Sequence, residues 1–368
     1  MKILITSGIF PPDIGGPASY VPKIAKELSN KGHKVNVICL SEKKYDDSKF
    51  NFNVIRIDRE IFFPLRVFKT IFKIYSSAKK ADLIFANTLT FESSIAALLS
   101  GKPIVHKIVG DYAWERARNK NWFNGTIDEY QTSKKNFKLK FLDIYFKYFL
   151  RFSKVIITPS NYLKNIVLGW DKSLDVKTIY NAIEFPSKYV KENNDSFSKL
   201  ITVSRLVSWK RIDEIILAIK DLEGYTLEII GEGPEEHFLK DLVKKHHLEN
   251  RITFLGHLDK ENVFEKMSQS DVFILNSSYE GLPHVIVEAM SAKLPVICAD
   301  VGGCSEIVKH KETGFLTNEF NSINDGLKYF SLIQKRMIIT KNANDFLSER
   351  FNPNIMINNS EKILCNVI

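Results

Sequence analysis

Four charged side chains have the types and spacing to handle a phosphorylated sugar. Arg205 and Lys210 lie in the run Ser204-Arg205-Leu206-Val207-Ser208-Trp209-Lys210-Arg211. One sits just past an apolar run that reads as a strand, the other near the start of the next helix. A fork-shaped guanidinium and an ammonium converging there would neutralise a diphosphate. The plainer reading is an exposed basic loop, which is what Arg211 is expected to be. Glu280 and Glu288 lie in the stretch from Asn276 to Met290. Val272-Phe273-Ile274-Leu275 before it reads as a short buried strand, and Pro283 suits the first turn of a helix. The two carboxylates therefore flank a helix N-terminus. Its free N–H groups and partial positive charge would seat a phosphate or an electron-rich sugar. The alternative is a strand-loop-helix joint with two solvated glutamates.

Glycine loops recur at strand ends. Phe10-Pro11-Pro12-Asp13-Ile14-Gly15-Gly16-Pro17 follows the first apolar run. Two glycines there let backbone approach a ligand closely, with the next helix aimed at it. The pattern is not GxGxxG, so the dinucleotide fingerprint of a nicotinamide dehydrogenase is absent. Ile229-Ile230-Gly231-Glu232-Gly233-Pro234, Phe254-Leu255-Gly256-His257-Leu258 and Val301-Gly302-Gly303-Cys304-Ser305-Glu306 are comparable joints. Either of the first two could wall a nucleobase or be only a turn.

The elements that must position these residues follow a repeating pattern. Strands read at 2–6, 34–39, 53–57, 82–86, 103–108, 154–158 and 176–179, with helical patterns in most gaps and a loop at 41–50. A second series reads at 200–204, 226–230, 252–255, 272–275 and 295–298. Alternating strand and helix predicts parallel sheets covered on both faces. A chain of 368 residues suits two domains. The polar run Lys191-Glu192-Asn193-Asn194-Asp195-Ser196 is the expected linker, giving domains 1–190 and 191–350. A helical tail, 351–368, follows a break at Asn352-Pro353. The expected class is α/β: two doubly wound domains of similar size, binding ligands at the carboxyl ends of their strands.

Composition narrows the partners. The hydrophobic fraction of 44% is ordinary for a globular chain with a full core. No apolar run nears the roughly 20 residues that span a bilayer. Met1 to Ser7 reads as a strand too short for a signal peptide. Cys39, Cys298, Cys304 and Cys365 form no CxxC pair, which fits a reducing cytosol and argues against zinc. Residues 1–190 hold 31 Lys and Arg against 17 Asp and Glu, a balance of +14, whereas residues 191–368 balance at −5. The basic half should face an anionic surface or substrate. No recognised nucleic-acid motif accompanies that charge. Phe62 to Tyr75 carries three basic residues, five aromatics and no acid, and Lys134 to Phe152 carries six basic residues and seven aromatics. Such helices suit a membrane interface. The alternative, aromatics in the core and lysines in solvent, weighs at least equally for 62–75.

Order and spacing together resemble a known family, the retaining GT-B glycosyltransferases of family 4 (group 1 type). The resemblance rests on the Gly15-Gly16 loop, the Arg205/Lys210 pair, Gly231-Glu232-Gly233-Pro234, and Glu280 with seven residues before Glu288. It covers nearly the whole chain and is strongest from 200 to 316. It implies two Rossmann-like domains facing across a cleft, the first for acceptor and the second for nucleotide-sugar. The tail would cross back to the first domain. Carried over by position, Arg205 and Lys210 would hold the donor diphosphate, Glu288 the ribose hydroxyls, and Glu280 the sugar hydroxyls. Backbone N–H groups of Gly281, Leu282 and His284 would assist. Gly15 and Gly16 would close on the phosphates, Gly231 would lie in the donor site, and Leu258 would lie beside the base. The implied donor is a UDP- or GDP-sugar. No metal is required, because fixed cations and amide dipoles stabilise the departing diphosphate, and the chain has no DxD-type pair.

The family often has a histidine ending the strand equivalent to 103–109, where this chain has Val109. His106 falls inside that strand and is expected to be a packed structural residue. Asp111 is the nearest polar group at the strand end. It is a candidate contact to acceptor or donor sugar, a base among its candidate roles, and equally a helix or turn cap. Tyr112 and Arg116 follow in a polar-aromatic segment suited to an acceptor sugar. The expected protein is a cytoplasmic hexosyltransferase, peripheral at the inner face of the cell membrane. Its acceptor would be a glycan or polyprenyl-diphosphate-linked saccharide. Other readings are a GT-B sugar-phosphate synthase or epimerase, or a basic nucleic-acid-binding protein.

Overall fold

The apolar runs pair as parallel strands in two separate sheets. The computed structural model describes residues 1–13, 15–41, 45–182, 197–318 and 322–368. Met1–Asn181 with Asn354–Ile368 form one compact unit, and Ala182–Pro353 the other.

In unit 1 the strands are β1 (Lys2–Ser7), β2 (Lys34–Ser41), β3 (Asn53–Asp58), β4 (Leu83–Ala86), β5 (Ile104–Lys107), β6 (Val155–Thr158) and β7 (Val176–Thr178). They lie in the order β3-β2-β1-β4-β5-β6-β7. The helices are α1 (Gly16–Asn30), α2 (Phe63–Ala78), α3 (Thr90–Ser100), α4 (Tyr112–Asn119), α5 (Ile127–Thr132), α6 (Phe137–Phe146) and α7 (Asn161–Trp170). Every residue of β4 and β5 is buried, as a parallel strand covered on both faces requires. The strand order reverses between β1 and β4, which opens a crevice beyond their carboxyl ends.

Unit 2 repeats the plan. Its elements are β8 (Lys199–Val203), α8 (Ile212–Lys220), β9 (Thr226–Ile230), α9 (Glu236–Lys245), β10 (Ile252–Gly256), α10 (Lys260–Gln269), β11 (Val272–Leu275), α11 (His284–Ser291), β12 (Val296–Ala299), α12 (Cys304–Ile307), β13 (Phe315–Thr317), α13 (Ile323–Phe330) and α14 (Ile333–Arg350). The sheet order is β10-β9-β8-β11-β12-β13, so the switch point lies between β8 and β11. Leu200, Ile216, Leu227, Ile274 and Phe315 belong to one continuous core beneath α8, α9 and α13.

The chain closes with α15 (Pro353–Asn366). Its buried face, Met356, Ile357, Ser360 and Leu364, belongs to unit 1. There Glu361 pairs with Lys31 at 2.7 Å and His33 at 2.8 Å.

The α/β class and doubly wound topology expected from the sequence are the ones found. Two details differ, and a third expectation is not reached by the described residues. The expected linker, Lys191 to Ser196, and with it the 190/191 boundary, lies outside the described residues. A sixth strand in unit 2, β13, was not anticipated; it has three residues, too few for a periodic signal. Pro283 caps α11 instead of lying inside its first turn.

Candidate active site

The switch point of unit 2 brings the loop after β8 against the loop after β11. Buried Leu206 and Val207 anchor the first loop, and a single 3-10 turn, Ser208–Lys210, follows. This leaves Arg205 exposed and turns Lys210 towards the second loop. Lys210 Nζ meets Glu280 Oε1 at 2.5 Å, and Ser277 Oγ donates to the same oxygen at 2.6 Å. The Ser278 N–H donates to the Trp209 carbonyl at 2.7 Å. Arg211, expected to be solvated, instead donates from Nε to the Asn276 carbonyl at 2.9 Å and faces Glu214. It ties the two loops together.

Glycines let the neighbouring strand ends crowd in. Gly231, at φ +131°, carries its Cα so close to the Ser204 carbonyl that a Cβ would sit 1.9 Å from that oxygen. A Cβ on Gly303 would sit 2.3 Å from the Gly281 carbonyl, and the Gly303 N–H donates to the Glu280 carbonyl at 2.9 Å. The loop after β12 therefore clamps the backbone on which Glu280 is mounted.

Gly281, Leu282 and His284 lead into α11. Glu288 follows on that helix, half-buried. Burial raises its carboxyl above the usual carboxylate range, an effect that Lys260 partly offsets. Leu258, half-buried, stands just past β10. Arg205, Lys210, Gly231, Leu258 and Glu280 thus all belong to loops at the carboxyl edge of one sheet, with Glu288 on the helix that leaves it.

In unit 1, Gly15 adopts φ +148° at the start of α1, a conformation that L side chains rarely take. Gly16 is the first helical residue, and a Cβ there would meet nothing within 4 Å. His106 is the packed histidine expected. It is fully buried in β5, with Ser94 Oγ 3.2 Å from its Nε2 and Ser153 Oγ beside its Nδ1. Burial pushes its pKa down to about 4. Asp111 has no exposed surface. Its Oδ1 accepts from the N–H groups of Ala113 at 3.0 Å and Trp114 at 3.1 Å, capping α4. Its Oδ2 accepts from Gln131 Nε2 at 2.9 Å and pairs with Lys147 Nζ at 2.8 Å. Of the alternatives open for Asp111, the helix cap is realised, together with an ion pair. Tyr112 and Arg116 line a cavity of about 430 Å³ whose wall includes Glu92 and Tyr145.

Three residues escaped the sequence reading. Ser277, which shares Glu280's oxygen with Lys210, lies three residues before it and was within reach of a closer look at that loop. Lys147, buried between Asp111 and Asp143, and Glu92, buried at the start of α3, gave no local signal.

Two parallel doubly wound units, one with a cation–carboxylate cluster at its switch point, define the GT-B class of two-domain, Rossmann-like folds. Residues 186–345 match the family model for glycosyl transferases group 1, and residues 14–185 match that for glycosyltransferase family 4. The chain belongs to this family and is a transferase enzyme. It is 25% identical to an uncharacterized glycosyltransferase of Methanocaldococcus jannaschii, over 96% of this chain and 95% of that one. It is 33% identical to N-acetyl-alpha-D-glucosaminyl L-malate synthase of Bacillus anthracis, over 39% of this chain and 40% of that one. Its fold is similar to that of HepE of Anabaena in complex with UDP and glucose (TM-score 0.78, 23% identity, 99% of both chains). It is likewise similar to sucrose-phosphate synthase of Thermosynechococcus elongatus (TM-score 0.80, 18% identity, 100% and 98% of the two chains).

Proposed function

We propose that the protein transfers a hexose from a nucleotide-sugar to a glycan or lipid-linked saccharide, with retention of anomeric configuration and without a metal ion. The observation that carries this is the Lys210–Glu280 pair at the switch point of unit 2, with exposed Arg205 on the same loop as Lys210. In this reading Arg205 and Lys210 hold the donor diphosphate, and Glu280 accepts hydrogen bonds from the transferred sugar. Glu288 accepts them from the ribose, and Leu258 packs beside the base. Loss of a nucleoside diphosphate builds negative charge on the phosphate oxygens. The two cations stabilise that charge. Lys210, held on Glu280 in the free protein, exchanges part of that pairing for phosphate when donor binds. Gly15 and Gly16 serve donor binding, and Tyr112 and Arg116 contact the acceptor. The solved complexes of HepE with UDP-glucose and with UDP and glucose support a UDP-sugar as the first donor to try.

We further place the protein peripherally at the cytoplasmic face of a membrane. No described helix is long and apolar enough to cross one. The support is the surface of unit 1. On α2 and just before it, Phe62, Phe63, Leu65, Phe68 and Phe72 are exposed beside Lys69 and Lys73. On α6 and just after it, Phe137, Phe141, Ile144 and Tyr148 are exposed beside Lys138 and Lys140. The four phenylalanines of the 62–75 stretch are thus not core residues. Aromatics flanked by lysines suit the headgroup layer.

The deciding experiment is a panel of UDP-, GDP- and ADP-sugars, read by release of nucleoside diphosphate with and without membrane lipid extract. Release with one base in preference to the others is the expected result. No release with any donor rejects the hexosyltransferase reading.

A further inference from the structure

We propose that the cavity between α2, α3, α4 and α6 is the seat of the acceptor's lipid: an apolar chain joined to a phosphate, entering from the membrane surface. This rests on the transferase reading and gives its acceptor a chemical class. The cavity, about 430 Å³, lies within the range of small-molecule sites, and its two ends differ in chemistry. At the rim stand Phe63, Phe137, Phe141 and Trp122, 51%, 84%, 59% and 38% exposed. Exposed rings at that density are costly in water and mark a surface that meets something apolar. At the floor stand buried Thr88, Thr90 and Glu92. Glu92 accepts from Tyr145 Oη at 3.2 Å, and the Tyr112 hydroxyl is buried with no hydrogen-bond partner among the described residues. Thr88 itself takes the Gly8 N–H just past β1, so the floor abuts the strand ends from which the Gly15-Gly16 loop springs.

The polarity therefore has a direction, from apolar rim to polar floor at the carboxyl edge of the sheet. An amphiphile fits it one way round, with the chain at the rim and the sugar-bearing end at the floor. Arg66, Arg116 and Lys138 also line the cavity. Arg116 is exposed, and Lys138 lies over the Trp122 ring at 5.3 Å. These cations select an anion at the junction of chain and sugar, and a phosphate supplies it. The aromatic rim is continuous with the exposed faces of α2 and α6, so a chain anchored in a bilayer would reach the cavity without crossing water.

The test titrates farnesyl phosphate, below its micelle concentration, into the full chain and follows tryptophan fluorescence. Farnesol and inorganic phosphate are titrated in parallel. Saturable binding at one site is expected, at least tenfold tighter than either fragment. Arg116→Ala should reduce affinity to near that of farnesol. Phe141→Glu should weaken binding at least tenfold. Phe137→Glu, at the most exposed rim position, serves if Phe141→Glu lowers the thermal midpoint. No saturable binding, or equal binding by the rim variants, overturns the proposal. So does binding to phosphatidylglycerol vesicles that farnesyl phosphate does not reduce, because the aromatics would then be a surface anchor only. A nucleotide titration of the wild-type protein separates the two readings. Nucleotide binding without farnesyl phosphate binding rejects the lipid seat alone, whereas farnesyl phosphate binding without nucleotide binding rejects the donor site.

Discussion

Two carboxylates eight positions apart sit in different chemical surroundings, and that difference predicts different losses. Glu280 is fixed by Lys210 and Ser277, whereas Glu288 is a half-buried carboxyl whose rise on burial Lys260 offsets only in part. If Glu288 accepts the ribose hydroxyls, Glu288→Ala should weaken nucleoside diphosphate binding by about 10- to 100-fold, the worth of a hydrogen bond to a charged group. Glu280→Ala should leave that affinity within about threefold while lowering kcat/KM for the whole donor about 100-fold or more. Calorimetry with nucleotide and turnover with donor separate the two; equal loss of nucleotide affinity in both variants would contradict the division. The pH dependence follows from the same burial. A carboxyl raised in the folded state is protonated there at a pH where it would ordinarily be charged, and the protonated form is the weaker acceptor. Nucleotide affinity should therefore fall as pH drops through that raised value, at a pH above the ordinary carboxylate range, and Glu288→Gln should flatten the fall. The linked stability has the opposite sense: this site favours the folded state most at acid pH, and the contribution is lost as pH rises through the folded value.

At the scale of elements, the joints were legible in the sequence and the long-range pairings were not. Glycines at 15, 231 and 303 mark strand ends because backbone must pass where a Cβ cannot fit or must take a conformation that L side chains avoid, and such a need is written locally. The apolar runs of β8 and β11 are short but bounded by polar loops, so Arg205, Lys210 and Glu280 could be placed at a common edge. That Lys210 would touch Glu280 is a tertiary fact spanning 70 residues, and no local pattern encodes it. The same holds for Asp111 and Lys147, which pair across α4, α5 and α6. Here one substitution distinguishes a support from a reacting group. Asp111→Ala removes the fully buried one of the two carboxylates that pair with the Lys147 ammonium, 9% exposed, and uncaps α4. Losing a cap costs about 1 kcal/mol, and losing one side of a buried pair adds to it, so the thermal midpoint should fall. Pairing it with Lys147→Met should recover much of that loss. If Asp111→Ala instead kept its midpoint and lost only turnover, the carboxylate would be part of the chemistry and not of the scaffold.

For the molecule as a whole, the division of charge was plain from composition, and the location of the aromatics was not. Periodicity cannot say whether a phenylalanine on a helix faces core or solvent when apolar residues lie on several sides of it, as they do on α2. With those rings exposed beside lysines, the full chain should bind vesicles containing anionic lipid at low salt. Raising the ionic strength towards ~0.5 M should weaken that binding severalfold. Phe68→Ser with Phe72→Ser should weaken it even at low salt, with no change in the thermal midpoint, as sedimentation with vesicles would report. The path of the chain has its own consequence. The residues of α15 belong to unit 1 yet follow all of unit 2, so unit 2 is spliced into its companion like a clause inside a sentence. Unit 1 is begun before unit 2 and completed after it, when the helix whose Glu361 grips Lys31 and His33 is added. The order of synthesis and the order of completion are therefore inverted. A chain cut just before α15 would keep the whole sheet of unit 2 and leave unit 1 without its closing helix.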